Sequence, residues 1–333
     1  MIPKPSGQTI LLAAVVAVSC AMVGYLVLFR GPGTASQGAA QVPSELTLAD
    51  IPFNGERAYD YLRELCDLGP RPSGSPAMHA QQKLLADHFQ KLGGKVRFQK
   101  FRARHPQNGS SVAMANLLVE WQPQKRERIL FCAHYDTRPY PDRDPRDPRG
   151  TFLGANDGAS GTALLMEMAH QMAELKGNLG VDFVLFDGEE FVFGEQDLYF
   201  LGSEYFATNY AAHPATARYR WAVVLDMIAD ANLQIYQERN SMSWSDTRPL
   251  VEEIWNTARR LGVTEFIATK KFEIRDDHLK LHNTGGIPSC DIIDFDYPAW
   301  HTQDDTAERC SALSLAKVGW VMQEWLKTAV RKP

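Results

Sequence analysis

The sequence predicts an α/β fold with a mostly parallel central sheet. Short apolar runs bounded by turn residues alternate with segments of helical periodicity, the pattern of strands interleaved with helices. The chain has 333 residues, 44% hydrophobic and 23% charged, an ordinary globular composition with length for a large core. Acidic and imidazole residues stand just past several apolar runs, where open α/β sheets form ligand sites.

From the N-terminus, Ile10 to Phe29 is an apolar stretch without a charge, flanked by Lys4 and Arg30. Its length suits a membrane-crossing helix. A cleaved signal peptide is the competing reading, but no small-x-small site follows. Residues 1–30 therefore read as an uncleaved signal anchor: a single-pass membrane protein, its catalytic domain extracytoplasmic, in the periplasm or at the cell surface. Residues 31–45, rich in Gly, Ser, Ala and Gln, read as a flexible tether. Residues 46–333 read as one catalytic domain.

Asn54 to Asp67 places Ala58, Tyr61, Leu62 and Leu65 at helical spacing. LGPRPSGSP after it is a turn. Met78 to Leu92 reads as a second helix, stopped by Gly93 and Gly94. Lys95 to Phe101, Ala113 to Trp121 and Arg128 to Cys132 read as strands. Tyr140 to Gly150, charged and Pro-rich, reads as a solvated loop at the rim of a site. Ala159 to Leu175 is predicted helical, Val181 to Phe186 and Ala222 to Leu225 as strands, Leu250 to Leu261 as an amphipathic helix, Ser289 to Ile293 as a strand, and Leu313 to Val330 as a closing helix.

The net charge of −5 and the lack of a basic run give no surface for nucleic acid. Cys132 and Cys290 fall inside apolar strands and read as buried small hydrophobes. Cys66 and Cys310 remain open as a pair.

Five residues read as one metal site: His134 in AHYDT, Asp157 in GANDGASG, Glu190 in FDGEE, Asp226 in LDMI and His301 in WHTQDDT. Imidazole and carboxylate donors without thiolates suit a catalytic Lewis-acid zinc site. Asp136, two residues past His134, is placed to orient that imidazole. Glu189, beside Glu190, has no structural task and suits a general base.

CAHYDTRPYPDRDP, FLGANDGASGTALLMEMA, VLFDGEE, LDMI, RDDHL and YPAWHTQDDT occur in the order of the zinc aminopeptidase and glutaminyl cyclase family. The resemblance runs from about Leu68 to Leu315 and implies a three-layer α/β/α sandwich with a mixed, mostly parallel sheet. Its bacterial cyclase branch is the nearest in pattern: HYDTRPYPDRDP leads to LGANDGASG, Asp276 stands where aminopeptidases more often carry Ser, and Trp300 precedes His301. The resemblance implies Asp157, Glu190 and His301 as zinc ligands, Glu189 as acid/base, Asp276 as catalytic and Trp300 in the substrate pocket. It implies His134 and Asp226 as second-metal ligands in the dizinc peptidases, positions that cyclases keep while usually binding one zinc. Phe193 or Tyr199 is expected to supply an aromatic wall.

Two chemistries follow, both acting on peptide or protein N-termini. One is cyclisation of N-terminal glutamine to pyroglutamate with one zinc. The other is dizinc aminopeptidase hydrolysis. A non-catalytic binding domain on a membrane anchor is a third reading, against which the intact Glu189 stands.

Overall fold

The computed structural model describes residues 43–213 and 217–332. The expected anchor and most of the tether lie outside these residues. Among the described residues no helix is long and apolar enough to cross a membrane. Ser44 is already tied down, its N–H and Oγ both 3.0 Å from Glu265 Oε1.

Helix α1 (Gly55–Asp67) is capped by Asn54, whose side chain accepts from Arg57 N–H, and buries Ala58, Leu62 and Leu65. Helix α2 (Pro76–Lys91) starts with Pro at its first turn after the Ser75 cap, where the missing N–H costs nothing. The turn between them holds Arg71, fully buried. Its guanidinium donates to the carbonyls of Leu65, Gly69, Leu153 and Gly154 at 2.8–3.2 Å. The turn is thereby fastened to the loop that leads to Asp157.

Strands β1 (Lys95–Arg104) and β2 (Ser111–Trp121) form an antiparallel ribbon, and β2 pairs antiparallel with β4 (Gly180–Phe186). Strand β3 (Glu127–His134) pairs parallel with both β4 and β5 (Arg218–Asp226), and β5 pairs parallel with β8 (Ser289–Ile293). The six-stranded order is β1-β2-β4-β3-β5-β8, the mixed, mostly parallel sheet that was expected. All four parallel strands point the same way, so their C-terminal ends emerge at one edge.

Both faces of the sheet are covered. Ile129, Phe131 and Ala133 of β3 pack with α1, α2, α3 (Ala159–Met168), α6 (Arg248–Leu261) and α8 (Ala312–Ala329). Leu130 and Cys132, alternate residues of the same strand, face α4 (Leu201–Ala212) and α7 (Asp277–Asn283) through Phe206 and Leu281. This double burial explains the unbroken apolar runs of the parallel strands.

Several elements depart from the sequence expectation. Helix α3 ends at Met168, and Ala169–Gln171 tightens into a 3₁₀ turn. Met172 N–H donates to Ala169 O and Leu175 N–H to Met172 O; these short-range bonds keep Met172 buried and prolong the apolar rhythm past the helix. Helices α4, α5 (Arg239–Ser243) and α7 and a small sheet of β6 (Ile235–Gln237) with β7 (Phe266–Lys270) were not foreseen. Most are too short for periodicity to register, and α4 follows Phe200 in a left-handed conformation rather than a polar cap. Cys132 and Cys290 are buried in β3 and β8 as expected, but Cys66 and Cys310 are both free thiols, not a disulfide.

Gly161 in α3 shows how closely that helix seats on the sheet: a Cβ there would lie 2.2 Å from Leu225 O. Gly→Ala inside a helix ordinarily stabilises by roughly 0.5–1 kcal/mol. Here Gly161→Ala is expected to destabilise by about 1–3 kcal/mol through overpacking, read from urea denaturation. Unchanged or raised stability would refute the close seating.

Candidate active site

The parallel strand ends build the site. His134 is the last residue of β3 and Asp226 the last of β5, while Glu189 and Glu190 follow β4 by three and four residues. Asp157 precedes Gly158, whose φ of +99° opens α3. A side chain at Gly158 would lie 2.7 Å from Asp136 O and 3.2 Å from His134 Cε1, so glycine lets Asp157 approach β3. His301 comes from the loop after β8.

These residues form two adjoining donor sets sharing Asp157: His134, Asp157 and Asp226, and Asp157, Glu190 and His301. His134 Nε2 lies 3.2 Å from both Asp157 Oδ1 and Asp226 Oδ1. His301 Nε2 lies 2.9 Å from Glu190 Oε1 and 3.6 Å from Asp157 Oδ2. A proton on His134 Nε2 serves the first set. In the second, Asp157 Oδ2 and Glu190 Oε2 are buried without any hydrogen-bond partner. Two orphan carboxylate oxygens beside an imidazole are what a bound cation would satisfy. The set fits zinc.

The backbone carrying the acids is itself held by acids. Asp136, fully buried, accepts from the N–H groups of Glu189 and Glu190, each at 3.1 Å. Its expected contact with His134 is long: Nδ1 lies 3.8 Å from Oδ1 and only 3.2 Å from the Asp136 carbonyl. The carboxylate thus mainly fixes the Glu189–Glu190 corner. Asp305, in the same loop as His301, accepts from the N–H groups of Asn156 and Asp157 at 2.8 and 3.2 Å and from Tyr297 OH at 2.8 Å.

Electrostatics separates the two adjacent glutamates. Burial opposes ionisation of Glu190, but His301 and Arg138 outweigh it and hold its pKa down at about 2. Glu189 is pushed well above the usual carboxylate range by burial, helped by the charges of Glu190, Asp277 and Asp276. One is a permanent anion and the other is equipped to carry a proton.

A cavity of about 620 Å³ opens over the second set. Glu189, Asp276, Tyr199 and Trp300 line it. Asp276 is pushed up to about 6 by burial and by Asp226, and its Oδ2 has no partner. Tyr199, not Phe193, supplies the aromatic wall; Phe193 packs on His105 and Phe191 instead. Behind Asp276 lies a buried group that sequence reading missed: Asp291, with His278 set 3.7 Å from its Oδ2 and 3.4 Å from Glu238 Oε2. Asp291 in SCDII looked like a strand interior, and only its being a charged residue in an apolar run could have marked it.

The pattern of peptidase family M28 matches residues 116–326. A crystal structure of glutaminyl cyclase from Fimbriiglobus ruber superposes with a TM-score of 0.80 at 39% identity, over 87% of this chain and 98% of that one. A Zn-dependent exopeptidase from Parabacteroides distasonis superposes with a TM-score of 0.77 at 30% identity, over 82% and 98%. The glutaminyl-peptide cyclotransferase of Bos taurus is 25% identical over 288 residues, 76% of each chain.

Asp136→Ala should leave the Glu189 and Glu190 N–H groups buried without acceptors. A hydrogen bond to a charged group is worth about 1.5–3 kcal/mol, so a loss of about 3 kcal/mol is expected in metal-free protein by chemical denaturation. Parental stability would show that the corner does not depend on Asp136.

Proposed function

The chain belongs to peptidase family M28, and on that premise we propose that it is a zinc-dependent glutaminyl-peptide cyclotransferase. It closes N-terminal glutamine of peptides or proteins to pyroglutamate and releases ammonia. The kinship with glutaminyl cyclases supports this reading. The observation in the site that carries it is Asp276, a second buried carboxyl lining the same cavity as Glu189.

Asp157, Glu190 and His301 would hold one zinc ion. When bound, it supplies Lewis-acid polarisation of the γ-carboxamide carbonyl. The protein's own residues do the rest. Trp300 and Tyr199 wall the cavity and hold the glutamine folded, so that its α-amine nitrogen faces Cδ. Because the nucleophile is intramolecular, holding that geometry is the larger part of the task. Glu189 takes a proton from the attacking amine. The new N–Cδ bond closes the five-membered ring, the Cδ–NH₂ bond breaks, and Glu189 returns the proton to the departing nitrogen, which leaves as ammonia. Burial raises the proton affinity of Glu189, which suits it to both steps. Asp276 accepts a hydrogen bond from the reacting amide and restrains its rotation.

One observation favours a second reading. The donors of the other set, His134, Asp157 and Asp226, also converge, as a dizinc aminopeptidase requires. With one zinc, protonated His134 takes the place of the second cation: burial opposes its proton, but Asp136, Asp157 and Asp226 raise its pKa well above the usual imidazole value. We place the enzyme outside the cytoplasm on the apolar segment Ile10–Phe29, whose uncharged length supports a spanning anchor.

Incubation with Gln-initiated and Leu-initiated peptides tests the function. Ammonia from the former and no free leucine from the latter is expected; leucine without ammonia would replace this reading with the peptidase one. Glu189→Gln should lower kcat by about 10²–10⁴-fold, the scale of general acid–base catalysis, while zinc measured by metal analysis stays bound. Retained turnover would remove Glu189 from its role.

A further inference from the structure

The charged loop Tyr140–Gly150 takes no part in the chemistry above, yet it closes over the segment that carries His301. Arg143 N–H donates to the His301 carbonyl at 3.1 Å. The Arg143 guanidinium lies over the Trp300 ring, 3.9 Å from its centroid. Asp144 Oδ2 accepts from Gln303 N–H at 2.9 Å. Asp142 Oδ1 stands 3.3 Å from His301 Nδ1, an ion-pair contact off the hydrogen-bond line.

His301 needs such restraint. Its φ of +58° is left-handed, a strained conformation for a non-glycine residue that persists only where its surroundings impose it. The grip of Arg143 on its carbonyl and the stack on its neighbour Trp300 impose it.

Asp142 is itself fixed. Arg138 Nε and Nη2 donate to its two oxygens at 2.9 and 2.8 Å, the bidentate geometry that makes a guanidinium–carboxylate pair directional. The remaining nitrogen of Arg138, Nη1, donates to Glu190 Oε1 at 3.0 Å, the oxygen that faces His301 Nε2. Arg138, Asp142, His301 and Glu190 therefore close a ring, and two candidate ligands are held by one arginine–aspartate pair. The Asp142 side chain is 48% exposed, and an isolated carboxylate at such a site would contribute little. The fork from buried Arg138 removes its freedom.

We propose that Asp142 is a positioning residue for the metal centre. It keeps the proton of His301 on Nδ1, so that the Nε2 lone pair faces the metal position, while Arg138 holds Asp142 and Glu190 in register. This rests on the assignment of zinc to Asp157, Glu190 and His301, but not on which substrate is turned over. Carboxylates paired with a ligating imidazole typically set metal affinity by 10–100-fold, and the sequence order of the loop, between His134 and Asp157, is no guide to this contact with residue 301.

The test is zinc affinity of the full-length chain, by competition with a chromogenic chelator, alongside the melting temperature of the metal-free protein. Asp142→Ala and Asp142→Asn should each weaken zinc binding about 10–100-fold, leave the metal-free melting temperature unchanged, and recover kcat when zinc is supplied in excess. Affinity within twofold of the parent in both variants would overturn the proposal. So would a fall in metal-free melting temperature that accompanies the affinity loss, since that marks a merely structural loop. A parent chain that binds no zinc would overturn the metal assignment itself, and this proposal with it.

Discussion

The structure depends on keeping an excess of carboxylates buried at one edge of its sheet. Asp157, Glu190 and Asp276 are each less than 5% exposed, and Glu189 is 8% exposed. An ionised carboxylate removed from water is costly unless paired. Most of the buried acids at this edge have a specific answer. Glu190 has Arg138 and His301. Asp136 and Asp305 have backbone N–H groups aimed at them. Asp276 and Glu189 have proton affinities raised by burial. Asp157 Oδ2 and Glu190 Oε2 are the carboxylate oxygens of the second donor set left without a hydrogen bond, and a cation would complete that set. Removing any one answer shifts the burden to neighbours that have none to spare.

The scaffold makes this excess tolerable by being stiff. Three of the four parallel strands deliver their acids at, or a few residues beyond, their final hydrogen-bonded pair, and both sheet faces are sealed by helices. Arg71 then fastens the first turn of the domain to the loop before Asp157, and Asp305 fastens the loop of His301 to the N–H of Asp157. The backbone behind the donor atoms is thus held by the scaffold's own hydrogen bonds, the kind of support that electrostatic preorganisation requires.

Local signals made most of this legible in the sequence. Strands β3, β4, β5 and β8 are apolar runs that stop at turn residues, and the acids just beyond them mark the edge where a site forms. Helices α1, α2, α6 and α8 carry a clear periodicity. What could not be read depends on partners distant in the chain. Asp142 sits in a Pro-rich charged loop that looks solvated, and nothing near it points to residue 301. Asp136 does stand by His134, but nothing local shows that its carboxylate also reaches the N–H groups some 53 residues onward. Asp291, His278 and Glu238 form one buried group from three separate segments. Elements as short as β6 or α7 have no period to display.

The five metal-binding candidates do not by themselves choose a chemistry, and the geometry explains why. Asp157 offers one oxygen to each donor set, so the same five residues serve one cation with a protonated His134 or two cations with a neutral one. The difference is a single proton against a divalent ion at nearly the same position. A dizinc aminopeptidase uses that second cation to prepare a water molecule from solvent. A cyclase does not, because its nucleophile arrives attached to the substrate; it needs walls that fold the substrate and a second acceptor to hold the amide. Trp300, Tyr199 and Asp276 line one cavity, where the proposed reaction would use them for those tasks. On the proposed reading, the choice between the two chemistries lies in the groups that shape the substrate rather than in those that bind the metal.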